Sequence, residues 1–193
     1  MSKVFFDISM SLDGFITASG ITADEPMGQD GERLHDWAFG ADPINRDYLQ
    51  RSISQTGAVI TGRVTYDAST PWWGADGPTG PERVPVFVVT HSEPASSPEG
   101  GVYTFVTDGI ESALKQAVVA AGDRSVTIMG GAEIGRQYLA AGRVDELSIH
   151  LIPVLLGGGT RMFDDLSELH RGLDVVNVLS TPSAIHLRFA VPR

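Results

Sequence analysis

The apolar residues of this chain fall into short runs that suit strands, separated by longer stretches with a helical repeat. Val4 to Met10 is rich in strand formers and ends at the turn signal Leu12-Asp13-Gly14. Thr22 to Pro43 is rich in Gly and Asp with Trp37 and Phe39 embedded, a loop long enough to predict that it covers a site. Ile44 to Gln55 carries apolar residues at 44, 48, 49 and 53. Asp42-Pro43 before it supplies a cap and a first-turn proline, so a helix is expected there. Ala58-Val59-Ile60 reads as a buried strand ending in Thr61-Gly62-Arg63, with a second helix beginning over Val64 to Ala68.

Val84 to Thr90 and Val102 to Val106 are further strands, and Gly109 to Ala121 is an amphipathic helix with Ile110, Leu114, Ala117, Val118 and Ala121 on one face. Ser125 to Met129 is a strand closed by Gly130-Gly131. Ala132 to Ala141 is a helix stopped at Gly142, and Leu147 to Leu156 is a long apolar strand. Beyond Gly157-Gly158-Gly159 come two strand candidates, Leu173 to Leu179 and Ile185 to Val191, with no helix between them, which predicts an antiparallel end. Strands alternating with helices early and paired strands late predict a three-layer α/β/α sandwich with a mixed, mostly parallel sheet. No linker divides residues 1–193, so one domain is expected.

Composition narrows what such a domain does. With 24 acidic against 14 basic residues and a net charge of −10, the chain would repel nucleic acid and anionic membranes. An anionic cofactor is still allowed, because local N–H groups and single arginines set the potential where it binds. The absence of cysteine excludes disulfides, Cys-ligated metal and thiolate catalysis, and fits a cytoplasmic protein. The apolar run after Met1 is too short for a signal peptide or a membrane span.

Three strand ends have chemistry suited to an anionic ligand. Gly130-Gly131 lets backbone approach a pyrophosphate closely, and the N-terminus of the next helix adds partial positive charge. Gly62-Arg63-Val64-Thr65 offers a guanidinium, a hydroxyl and helix N–H groups to a second phosphate, and Thr90-His91-Ser92 closes a third strand. Each alone is also an ordinary strand-to-helix turn. Their joint occurrence points to one extended cofactor.

These segments carry a resemblance that covers nearly the whole chain. Ser11-Leu12-Asp13-Gly14, Thr61-Gly62-Arg63-Val64-Thr65-Tyr66-Asp67, Met129-Gly130-Gly131, and the block from Val144-Asp145-Glu146-Leu147 through Pro153 to Gly159 resemble the dihydrofolate-reductase-like superfamily. The specific branch is that of the reductase domain of bacterial riboflavin biosynthesis. The resemblance implies an NADPH-dependent reductase, with the nicotinamide carboxamide bonded to backbone near Ser9 and Ile16. It further implies phosphate contacts from Gly62, Arg63 and Thr65, an adenosine-phosphate pocket at Thr90, His91 and Ser92, and a pyrophosphate loop and helix over Gly130, Gly131, Ala132, Glu133 and Ile134. A homodimer is implied as well.

The substrate is expected to be a small nitrogen heterocycle, with 5-amino-6-(5-phosphoribosylamino)uracil suggested first and a dihydropterin second. Met129 stands where the riboflavin-type reductases commonly carry a Glu. Arg46, with Asp47 adjacent, stands where dihydrofolate reductases carry an acidic residue. A non-catalytic NADPH-binding protein is therefore a third reading. Asp13, Asp47 and His150 are the candidate proton-handling groups, and Trp72 and Trp73 candidate walls of the substrate pocket. The alternatives are turn formation for Asp13, a solvated helix face for Asp47, a satisfied core histidine for His150 and loop packing for the tryptophans. Nothing in the chain has a metal-binding or kinase motif.

Overall fold

The computed structural model describes residues 2–164 and 171–192. Its centre is an eight-stranded sheet in which strands from both ends of the chain meet. The strands are β1 (Val4–Ser11), β3 (Thr56–Gly62), β4 (Val86–Val89), β5 (Tyr103–Val106), β6 (Ser125–Met129), β7 (Glu146–Ile152), β9 (Asp174–Ser180) and β10 (Ile185–Ala190), in the order β5-β4-β3-β6-β1-β7-β10-β9. The six from β5 to β7 run parallel, and β10 and β9 add antiparallel. A separate two-stranded pair joins β2 (Phe15–Thr17) to β8 (Thr160–Arg161). The mixed, mostly parallel sheet expected from the sequence is the one observed.

Helices α4 (Ile110–Ala121) and α5 (Ala132–Ala140) cover one face. Ala113, Ala117, Ile134, Tyr138 and Leu139 pack there on Phe6, Ile60, Val126 and Ile128. The other face carries α2 (Pro43–Gln55) and α3 (Arg63–Trp73), with Tyr66 of α3 packed on Val59, Val86 and Val88. The three layers follow from strand alternation, since β1 buries Phe6 on one side and presents Phe5, Asp7, Ser9 and Ser11 to the other.

Local signals set the helix starts. Asp42 accepts hydrogen bonds from the Ile44 and Asn45 amides, and Pro43 opens α2. Three expectations shift. The loop over 22–43 contains a 3-10 turn (Gly31–His35) and a short helix, α1 (Asp36–Phe39), because Leu34 and Trp37 are apolar enough to dock beside Ile152 and Ala184. The second helix extends to Trp73, with Pro71 inside it. Strand β7 ends at Ile152 rather than Leu156, since Pro153 has no amide to continue the ladder and Val154 N turns back onto Ile152 O.

Candidate active site

Two features of the structure suit a ligand. The first is the carboxyl edge of the parallel strands. α3 starts at Gly62 and α5 at Gly131, and neither N-cap supplies a side-chain hydrogen bond, so both first turns present backbone N–H groups. The two starts are in contact. A Cβ on Gly130, whose φ is +73°, would lie 2.3 Å from Thr65 Cγ2, and one on Gly131 would lie 3.3 Å from Thr65 Oγ1. This close approach is open only to glycine. Next along the edge, Arg63 donates to Asp67, to Thr90 Oγ1 (3.3 Å) and to Ser92 O (2.8 Å), tying the α3 start to the end of β4. Thr61 Oγ1, beneath this junction, is buried without a partner.

The β1 backbone contributes to the same edge. Its ladder with β6 stops at Asp7 and Met129, where Gly130 turns away, whereas its ladder with β7 continues to Ser11 and Ile152. The β6-facing side of β1 around Ser9 is thus left beyond the end of a ladder. Free amide and carbonyl groups of that kind match a carboxamide.

The second feature is a cavity of about 460 Å³ between α2 and the sheet. Its walls include Phe5, Asp7, Tyr48, Arg51, Ser148 and Arg188. Behind it runs a chain of buried polar groups. Asp7 Oδ1 lies 3.1 Å from His150 Nε2, His150 Nδ1 lies 2.9 Å from His186 Nδ1, and His186 Nε2 lies 2.9 Å from Asn45 Oδ1. Trp37 covers the chain, with its ring 4.2 Å from His150 and its indole N–H donating to Ser9 Oγ at 2.9 Å. Tyr48 stacks on His186 at 4.3 Å. Burial opposes the charge on Asp7, yet the charge and hydrogen bond of His150 and a bond from Ser148 hold its carboxyl below the usual range. Burial, followed by the charge of His150, pushes His186 down to about 4.

The edge unites Gly62, Arg63, Thr65, Thr90, Ser92, Gly130 and Gly131. Ala132 and Ile134 turn their side chains into the core, leaving only backbone to a ligand, while Glu133 and His91 are exposed. Ile16 is buried in β2, and Ser9 is held under Trp37. His150 is buried at the heart of the polar chain. Other expectations are corrected. Asp13 receives Ser11 Oγ and the amides of Leu156 (3.1 Å) and Gly157 (2.7 Å). These bonds, Ser11 first, hold its carboxyl low, at about 2, and fasten the loop after β7 to the turn. Asp47 is at the cavity rim, exposed and paired with Arg51 at 2.7 Å. Trp72 is 69% exposed at the far end of the 11-residue α3, and neither it nor Trp73 lines the cavity. Met129 packs beside Tyr66 and Val59 instead of facing the cavity. Sequence reasoning missed Asp7, Trp37, Tyr48, Asn45 and His186 as a site. The signal available was the polar residues at 7, 9 and 11 alternating within a central strand.

The sequence matches the RibD C-terminal domain family over residues 2–187. No match to the chain was found among curated proteins. Among solved structures, the chain is similar to a putative riboflavin biosynthesis protein from Shewanella sp. PV-4, with 23% identity, TM-score 0.75 and all of both chains covered. It is also similar to the diaminohydroxyphosphoribosylaminopyrimidine deaminase/5-amino-6-(5-phosphoribosylamino)uracil reductase of Thermotoga maritima. There the identity is 18% and the TM-score 0.67, and the match covers 99% of this chain and 57% of that one. A dihydrofolate reductase from Enterococcus faecalis, complexed with NADP(H) and RAB-propyl, is similar at 14% identity and TM-score 0.62, over 99% of this chain and 97% of that one. At these identities the likenesses establish a shared fold.

Proposed function

The chain belongs to the RibD C-terminal domain family, and from that premise we propose that it is an NADPH-dependent reductase of a small nitrogen heterocycle. The observation that carries this reading is the junction at which two uncapped helix starts meet through Gly130, Gly131 and Thr65. The residues fit the cofactor. Backbone amides of the α3 and α5 first turns would hold its pyrophosphate, and Arg63, Thr90 and Ser92 its adenosine phosphate. The open side of β1 at Ser9, with Ile16, would hold the carboxamide. When bound, the cofactor supplies a hydride.

The cavity volume suits a single heterocycle with a short polar extension. Arg51 and Arg188 make it hospitable to a phosphorylated sugar, which favours a substrate of the 5-amino-6-(5-phosphoribosylamino)uracil type over an unphosphorylated dihydropterin. Phe5 and Tyr48 offer flat faces to a ring. Asp7 and Ser9 lie on one face two residues apart, so a heterocycle over Asp7 sits about 7 Å along the strand from the nicotinamide anchor. The protein's part is to hold the two rings against each other and keep water out.

NADPH oxidation at 340 nm with the aminouracil ribosyl-phosphate and with dihydropterin tests the reading. Turnover of the first at least tenfold above the second is expected. NADPH binding without turnover of either would favour a non-catalytic nucleotide-binding protein. We further propose a homodimer through β9, whose Val175, Val176 and Val178 are exposed on an edge strand. Among the described residues, no helix is long and apolar enough to cross a membrane.

A further inference from the structure

The direction of the buried polar chain can be read from its Asn45 end. Asn45 Nδ2 donates to Ser183 Oγ at 2.8 Å, which turns Oδ1 toward His186 Nε2. An amide oxygen only accepts, so His186 Nε2 carries a proton. His186 is held neutral by burial, leaving Nδ1 a lone pair. That lone pair faces His150 Nδ1, which must therefore donate. His150 Nε2 faces a carboxylate oxygen of Asp7, another acceptor, and must donate as well. His150 is left with a proton on each nitrogen.

We propose that His150 is an imidazolium held against Asp7, that the pair is the proton reservoir for the reduction, and that Asp7 hands the proton to the substrate in the cavity. The inference rests on the reductase reading above. His150 has 2% of its side chain exposed and cannot touch a substrate, whereas Asp7 has 22% exposed and lines the cavity. His186 and Asn45 are positioning residues. His186 Nδ1 accepts the hydrogen bond from His150 Nδ1–H, and Asn45 Oδ1 holds the His186 tautomer that leaves Nδ1 free to accept it.

The step balances with a dihydronicotinamide as reductant. Hydride adds to the electrophilic carbon of a C=N or C=O group, and the π pair moves to the heteroatom. The His150 Nε2–H bond breaks as its proton moves to Asp7, forming the carboxylic acid, and the Asp7 O–H bond then breaks as the heteroatom takes that proton. His150 ends neutral, Asp7 ends as a carboxylate, the nicotinamide is oxidised, and a solvent proton recharges His150.

Titratable and polar groups face the pair from several elements. Ser148 on β7 and His186 and Arg188 on β10 face it, with Tyr48 from α2, Thr127 from β6 and His35 from the turn before α1. Glu146 pairs with the Arg188 guanidinium at 2.5 Å and with Lys3 at 2.6 Å. Asp42 acts on His186 from the α2 cap.

Nitrogen-15 NMR of histidine in the full-length protein reads the reservoir without any substrate. Both His150 ring nitrogens protonated, with His186 carrying its proton on Nε2, is the expected result. A neutral His150 with a single proton on Nε2 overturns the proposal. In turnover, Asp7→Asn is expected to lower kcat by about 100-fold or more with NADPH affinity within threefold of wild type, and to leave His150 neutral in the spectrum. His186→Gln is expected to lower kcat and displace its pH profile without raising KM. An Asp7→Asn enzyme with kcat within threefold of wild type overturns the proton-donor role. A wild-type protein that binds NADPH and reduces nothing fails the reductase reading, and the catalytic use of the reservoir with it, while the spectrum still decides the charge on His150.

Discussion

Replacing Gly130 by alanine places a Cβ where the α3 and α5 starts touch. The new atom would lie 2.3 Å from Thr65 Cγ2, 2.7 Å from Thr65 Oγ1 and 2.9 Å from Thr65 Cβ, on a residue whose φ is +73°. The left-handed backbone costs about 1–2 kcal/mol for a residue with a Cβ. Crowding of a packed junction adds about 1–3 kcal/mol. The total, about 2–5 kcal/mol, corresponds to a fall in Tm of roughly 5–15 °C for a domain of this length. Thermal unfolding followed by circular dichroism measures it. Thr65→Ala removes the two nearest atoms and leaves the third. The double variant is thus expected to recover about 1 kcal/mol or more of the crowding and none of the backbone cost. A Gly130→Ala protein that melts with wild type, or a double variant whose losses simply add, would refute the close approach on which the cofactor site is built.

Gly135→Ala would drive a Cβ to 2.1 Å from Phe6 Cζ under α5, so a loss of about 1–3 kcal/mol is expected in urea unfolding, without a change in slope. Asp42→Ala removes the acceptor for two α2 amides and is expected to cost about 1 kcal/mol by the same assay, with Asp42→Asn close to wild type. Acid should weaken the fold in two stages. His186 titrates near 4 in the folded chain against 6.5 when unfolded, so the unfolded state takes its proton first. Stability is then complete above about pH 6.5 and falls by up to roughly 3 kcal/mol as pH drops toward 4. Asp13, held at about 2 against 3.8, adds a loss that begins only below pH 3.8. Denaturant melts across pH 3–8 should follow this course, and His186→Gln should flatten the upper stage.

The glycine-lined carboxyl edge was legible because its signals are local. Paired glycines after an apolar strand, Gly62-Arg63 after another, and Asp42-Pro43 before a helical repeat each carry their structural meaning within a few residues. The polar chain was not legible as a unit, because positions 7, 45, 150 and 186 come together only when β1, β7 and β10 fall into register beneath α2. His150 drew notice from its strand alternation and from the family resemblance, whereas its partners lay in segments that read as plain strand or helix. The bonding of Asp13 was likewise not legible. An Asp in an Asp-Gly turn beside an expected nicotinamide looks chemically available until the amides of Leu156 and Gly157, about 140 positions later, occupy it.

The central claim is that NADPH lies along the carboxyl edge of the sheet, across Gly130-Gly131 and Gly62-Arg63. Calorimetric titration of NADPH into the wild-type protein, Arg63→Ala and Gly131→Val tests it most directly. Saturable one-to-one binding is expected, weakened at least tenfold in each variant while both remain folded. Absence of binding to the wild-type protein, or equal affinity in all three, would contradict the account.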